Sequence, residues 1–281
     1  MTPAPAPPPE SRTTTPHDLS GRPEADLTVD VRALGTIMRI QTPDAECAAV
    51  VRRAWHLALY SGERVDVPED RLVQMQVGDG GDDDWSERRS RAMVALTQDV
   101  TQEALRAQAG KAVFLHAGGL CNPRTGASFV YVAPGGMGKT TLTRTLGPAF
   151  AYLSDETIAV TADGAILPYL KPLSVRRGGH GSVKDEVAPA ELGLMAPTVT
   201  PWVAGLVILR RQEGATLRVE PVDTLDAIVA LSPETSAMAA LDHPLRRVAH
   251  VIERARGLTI VTYSEATQLG PMVDVILSRR R

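Results

Sequence analysis

"YVAPGGMGKTTLTRTLGPAFAYLSDE" runs from Tyr131 to Glu156, and the reading of the whole chain turns on it. Ala133-Pro134-Gly135-Gly136-Met137-Gly138-Lys139-Thr140 follows the phosphate-loop pattern, with alanine where its first glycine often stands. Residues without a Cβ let successive backbone N–H groups turn inward around an anion. A helix opening near Lys139 adds the positive end of its dipole. "SFVYV" before the loop and "TTLTRTL" after it supply the strand and helix that the motif requires. Lys139 is then placed to reach the β- and γ-phosphates of a nucleotide and Thr140 to hold Mg²⁺, with Thr141 closing the loop. The alternative is a glycine-rich turn in which Lys139 is an ordinary surface lysine.

Asp155 and Glu156 close the segment "AYLSDE". A carboxylate at a strand end beside a phosphate loop can hold Mg²⁺, directly or through water. A second carboxylate can take the proton of an attacking hydroxyl. Neighbours on a regular strand face opposite ways, so the two act together only where the strand ends. The Asp163-Gly164 turn lies too far along the chain to be that break. Otherwise the pair simply solvates a turn. His116, after "VFL", reads by itself as a hydrogen-bonded strand-end histidine as readily as a catalytic one.

Together, "FLHAGG", "VYVAPGGMGKTTLTRTLG" and "AYLSDE" resemble the HPr kinase/phosphorylase superfamily and its HPr-kinase-related members. The resemblance covers residues 111–176; beyond them only the alternation of strands and helices fits. It implies a phosphoenolpyruvate-carboxykinase-like core in place of the usual parallel phosphate-loop sheet. It implies that Lys139 binds phosphates, Thr140 and Asp155 hold Mg²⁺, and Glu156 stands at the catalytic base position. His116 would lie near the phosphate end of the nucleotide, and Lys171-Pro172 matches a "KP" element of the related kinases. HPr kinases themselves usually carry two aspartates, whereas Asp-Glu is typical of the relatives. The HPr-specific signature is not recognisable downstream, which argues against HPr as the acceptor.

The remaining sequence bounds this reading. A net charge of -3 and a pI near 6.1 lack the basic footprint of a nucleic-acid binder. Aromatic residues, at 4%, are too few for a base-stacking platform. The longest apolar runs, such as "VAGLVIL", are too short to span a bilayer, and "MTPAPAPPPE" lacks the features of a secretory signal. Cys47 and Cys121 form no metal or disulfide framework; two reduced thiols in a cytoplasmic protein are expected, with a single disulfide as the alternative.

Along the chain, residues 1–26 are expected to be a disordered proline- and threonine-rich tail. Residues 27–104 form a small α/β region and 105–281 an ATP-binding, kinase-like α/β domain. "LTVDVRALGTIMRIQ" predicts one or two strands, "DAECAAVVRRAWHLALYS" an amphipathic helix, and "GDGGDDDWSERRS" at 78–90 a solvated loop. Its consecutive Asp82–Asp84 lack calcium-loop spacing. A helix leads into a strand over Ala112–His116, and "SFVYVA" follows as the second arm of a hairpin. "TIAVTADGAILPYL" predicts strand, turn, strand. "VAGLVILRR", "ATLRVEPV" and "LTIVTYS" read as strands. Helices are expected in "DTLDAIVALS", with Asp223 or Thr224 as its candidate cap, in "HPLRRVAHVIERAR", with Asp242 as its candidate cap, and in "EATQLGPMVDVILSRR", interrupted at Gly270-Pro271. The basic segment around Lys171, Arg176, Arg177, His180 and Lys184 is either a mobile lid meeting phosphate or an acidic peptide, or an exposed loop.

The expected function is an ATP- and Mg²⁺-dependent kinase acting on a hydroxyl, foremost serine, of a peptide, small protein or metabolite. An ATPase and a non-catalytic nucleotide-gated binding protein are the alternatives. No LSGGQ-like signature supports a transporter ATPase, and the longer chain and extra metal ligands of a carboxykinase are missing. Related kinases are often homo-oligomers, although no apolar stripe here requires that.

Overall fold

The computed structural model describes residues 27–63, 65–78, 84–176 and 184–281. The expected tail at 1–26, Asp82 and Asp83, and the central part of the basic segment with Arg177 and His180 lie outside the described residues.

The alternating stretch forms two strands, β1 (Thr28–Ala33) and β2 (Thr36–Gln41), which pair antiparallel. Leu34 and Gly35 turn between them at φ of 49° and 79°, the double positive φ of a tight hairpin turn. α1 (Ala45–Ala54) is capped by Asp44, whose carboxylate accepts from the Cys47 N–H at 2.7 Å. β3 (Leu72–Gln74) joins β2 in parallel.

α2 (Trp85–Ala107) corrects the expected loop at 78–90, since Trp85 to Ser90 are helical. Buried Met93, Leu96, Val100 and Ala104 recur at helical spacing and hold the helix against β1 and β2. Its polar first turn is tied to α1 by Arg89, whose guanidinium lies 3.0 Å from the Glu46 carboxylate.

The strand expected over Ala112–His116 is present, and a second strand that was not expected follows it in another sheet. β4 (Ala112–Leu115) stops before His116, and β5 (Ala117–Cys121) begins after it. The hairpin partner of β6 (Ala127–Val132) is β5, not the strand over Ala112–Leu115, and β6 feeds the glycine loop and α3 (Lys139–Leu146). β7 (Ala151–Ser154), β8 (Ile158–Thr161) and β9 (Ile166–Leu167) follow. β10 (Leu173–Arg176) and β11 (Lys184–Val187) make a separate antiparallel ribbon where a basic loop was expected.

The C-terminal part adds β12 (Trp202–Arg211), β13 (Arg218–Val222), α4 (Thr224–Leu231), β14 (Thr235–Ser236), α5 (Pro244–Arg254), β15 (Leu258–Tyr263) and α6 (Gly270–Leu277). Asp242 does not cap α5. His243 occupies that position at φ 53° without a side-chain cap, and Pro244 opens the helix, where its missing N–H is harmless. Gly270-Pro271 likewise starts α6 after a short 3-10 turn instead of interrupting a longer helix.

The fold is mixed α/β. A six-stranded sheet runs β13-β15-β12-β6-β5-β7, and a four-stranded antiparallel sheet runs β14-β4-β8-β9. Within the larger sheet β12 is parallel to β6 and β15, while β5 is antiparallel to β6 and β7. One apolar cluster joins β1, β2, α1 and α2 to Phe114, Tyr169, Leu170 and Leu173, so the N-terminal strands and helices share packing with the residues that follow. Trp55, with no exposed surface, packs at 6.1 Å from Tyr169 within it. Cys47 and Cys121 are buried free thiols. Among the described residues no helix is long and apolar enough to cross a membrane.

Candidate active site

Ala133 to Gly138 bridge the end of β6 and the start of α3. Gly136 and Gly138 hold φ of 81° and 94°, conformations that side chains with a Cβ rarely adopt. A Cβ at Gly135 or Gly136 would meet nothing within 4 Å, so the loop faces open space. The loop is supported from beneath. Thr143 donates to the Lys139 carbonyl at 3.0 Å, which leaves Tyr131 to donate to Thr143 at 2.5 Å. Met137 packs part-buried against the core below, and Pro134 is exposed.

Lys139 is 7% exposed and donates to the Ala133 carbonyl, inside its own loop. Burial lowers its pKa, while Glu234, Asp155 and Glu156 act in the opposite direction. Thr140, one residue on, donates to Asp155 Oδ2 at 2.9 Å.

The strand does end at the acidic pair. Ser154 Oγ accepts from the N–H groups of both Glu156 and Thr157 at 3.1 Å, a serine turn that takes the chain out of β7. Asp155 and Glu156 therefore reach the same partner. Lys171 Nζ lies 3.2 Å from Asp155 Oδ1 and 3.0 Å from Glu156 Oε2, and donates to the Pro172 carbonyl at 3.0 Å. The Lys171 side chain is 1% exposed, against 37% for Glu156, so the cation is enclosed and the base candidate is reachable. Burial lowers the Lys171 pKa, but the carboxylates of Asp155, Glu156 and Glu186 outweigh it and hold the ammonium charged. The Tyr152 hydroxyl is 3.3 Å from Asp155 Oδ1. Burial, then Asp155, push its pKa well up, so it stays protonated and donates.

His116 sits where the chain passes between the two sheets. Its N–H donates to the Glu234 carbonyl at 2.7 Å, and the Ala117 N–H donates to the Glu156 carbonyl at 3.0 Å. Burial first, then Lys139, lower the ring's pKa and favour neutral imidazole.

These residues line one cleft of about 420 Å³, together with the glycine loop, the ribbon and α2. That volume lies in the ordinary range for a small-ligand site. Every catalytic position expected from sequence lines it: His116, Asp155, Glu156 and Lys171. Of the expected loop residues Gly135, Gly136, Gly138, Lys139, Thr140 and Thr141 do so as well, while Ala133, Pro134 and Met137 form the frame. Arg176 and Lys184 also line it.

Sequence reading missed Glu186, Arg144 and the α2 residues Val94, Thr97 and Gln98, all on the cleft wall. Pairing "LSVR" with "KDEV" as a hairpin would have found Glu186, because it stands opposite Ser174 and accepts its hydroxyl. Burial raises the Glu186 pKa, with Lys171 and Ser174 opposing.

Among the described residues no group of three or more His, Cys, Asp or Glu could hold a metal by protein ligands alone. Mg²⁺ commonly binds through one or two protein ligands and substrate phosphates. The touching Thr140 hydroxyl and Asp155 carboxylate, at the opening of α3, fit that shared kind of site. No protein-family model matches the chain, and no curated protein matches it.

Proposed function

We propose that the chain is an ATP- and Mg²⁺-dependent kinase that transfers the γ-phosphoryl group to a hydroxyl, foremost that of serine, in a peptide, small protein or small metabolite. The observation that carries the proposal is the buried Lys171 held at 3.2 and 3.0 Å by the two carboxylates that follow the phosphate loop. A loop built only to bind nucleotide has no use for a second carboxylate that is 37% exposed beside a locked one.

The N–H groups of Gly136 to Thr140 and the Lys139 ammonium take the β- and γ-phosphates. Thr140 and Asp155 would hold Mg²⁺, which would supply positive charge to offset that of the phosphates. Glu156 accepts the proton of the acceptor hydroxyl as its oxygen bonds to the γ-phosphorus and the bridging bond to ADP breaks. Lys171 orients both carboxylates, and neutral His116 closes the wall beside them. Because the transition state is loose, positioning and charge compensation supply most of the acceleration.

At the finer level of fold, a phosphoenolpyruvate-carboxykinase-like core is supported by β6 lying between antiparallel β5 and parallel β12, unlike an all-parallel phosphate-loop sheet. The buried free thiols Cys47 and Cys121 suit a cytoplasmic setting.

The test is transfer of label from ATP carrying a radioactive γ-phosphate into extract of the source cells. A discrete labelled acceptor, lost in Lys139→Ala and in Asp155→Asn, is expected. Release of free phosphate alone would favour an ATPase, and ATP bound but unspent would favour a nucleotide-gated switch.

A further inference from the structure

The β10–β11 ribbon places Arg176 directly opposite Lys184, so two cations share one cross-strand position at its open end. Like charges opposite one another in a strand pair are destabilising. Neither residue has a carboxylate partner among the described residues, and Arg177 to Val183 between them contain no Asp or Glu.

Both residues are exposed and both line the cleft. The same strands carry Ser174 and Glu186 two residues further in, and these satisfy each other by a hydrogen bond. Glu186 is therefore engaged away from the two cations. The facing wall, from α2, presents Val94, Thr97 and Gln98, none of them charged. Two unpaired cations are thus concentrated at one ribbon position of the cleft, with Arg144 of α3 a further exposed cation lining it.

We infer that the phosphoryl acceptor carries a carboxylate or phosphate group beside its hydroxyl, and that Arg176 and Lys184 hold this anion between them. The inference rests on the kinase reading above. Arg176 can grip an oxyanion with two parallel N–H donors, and Lys184 adds a mobile point charge. An anion seated there removes the repulsion within the ribbon and fixes the hydroxyl toward Glu156.

The first test uses inorganic phosphate as the probe, titrated calorimetrically into protein saturated with Mg²⁺ and a non-hydrolysable ATP analogue. Filling the glycine loop beforehand leaves the ribbon as the remaining site. The double variant Arg176→Gln/Lys184→Gln should bind phosphate about tenfold more weakly or worse, with affinity for the analogue unchanged. Equal phosphate affinity in both proteins, or no phosphate binding by the wild type, would overturn the inference. Failure of the analogue to bind would overturn the kinase reading instead; the ribbon is then read in a Lys139→Ala background without nucleotide. Labelling of extract distinguishes the sources of the anion: a labelled macromolecule points to an acidic peptide or protein segment, a labelled small molecule to a hydroxy acid. Undiminished labelling by the double variant would contradict the assignment in either case.

Discussion

Lys171 Nζ lies 3.0 Å from Glu156 Oε2, and the lysine side chain that makes this contact is 1% exposed. A buried ion pair is a weak source of stability, because desolvation opposes the attraction, but breaking one side of it is costly. Lys171→Met should therefore destabilise the protein by about 3–5 kcal/mol, leaving Asp155 and Glu156 without their shared cation. Urea unfolding of the two proteins measures this. A loss below about 1 kcal/mol would show that water replaces the ammonium and that the enclosure is incomplete.

Gly135 separates a structural role from a ligand role. A Cβ added there meets no protein atom within 4 Å, and its φ is ordinary. Gly135→Ala should leave stability within about 0.5 kcal/mol while weakening ATP binding, if the proposed nucleotide fills the open space beside it. Gly126 is the contrasting case: at φ 73°, its added Cβ would stand 2.3 Å from the Thr200 carbonyl oxygen. Gly126→Ala should cost more than about 2 kcal/mol in stability. Thermal unfolding with and without ATP resolves both.

His116 gives the protein a pH-dependent contribution to stability. Burial, then Lys139, lower its pKa below the ordinary value of 6.5. As pH falls, the unfolded chain takes up this proton before the folded one does. The contribution is fully present above the unfolded pKa and is lost as pH falls through the folded one. His116→Asn should flatten the stability profile on the acid side of neutrality, measured by denaturant unfolding at a series of pH values. An unchanged slope would place the ring in a solvated setting.

Thr140 and Asp155 should act as one unit. Thr140→Val and Asp155→Asn are each expected to weaken the Mg²⁺ dependence of ATP binding, and the double variant to cost little more than either single change. Additive losses would argue that the 2.9 Å contact between the two side chains is incidental.

The glycine loop, its flanking strand and helix, and the acidic pair were legible because their chemistry sits in one local run. The strand break that lets Asp155 and Glu156 cooperate was also written there, in the Ser154 hydroxyl accepting two backbone N–H groups. It was overlooked because a serine at a strand end carries little pattern of its own. The start of α2 is hard to read in the sequence, since Ser86 to Ser90 are polar and the Glu46 partner of Arg89 lies far away in sequence. α2 runs on to Ala107, and its apolar face packs in the cluster that also holds Phe114 and Tyr169. The β10–β11 ribbon was hidden by glycines that broke the alternation, and with it the setting of Glu186 and of the Arg176–Lys184 pair. The Glu46–Arg89 tie is a contact between distant segments, which periodicity does not encode, whereas the Ser154 turn and the ribbon are local but carry no periodic signal.

The most direct test of phosphoryl transfer is a single-turnover measurement of where the γ-phosphate goes, in wild type and in Glu156→Gln. The acceptor is first isolated from extract by its label. Wild type should place the phosphate on the acceptor hydroxyl, and Glu156→Gln should slow that step by about 10²–10⁴ while binding ATP as tightly. Equal transfer rates in the two proteins, or phosphate delivered only to water, would contradict the account.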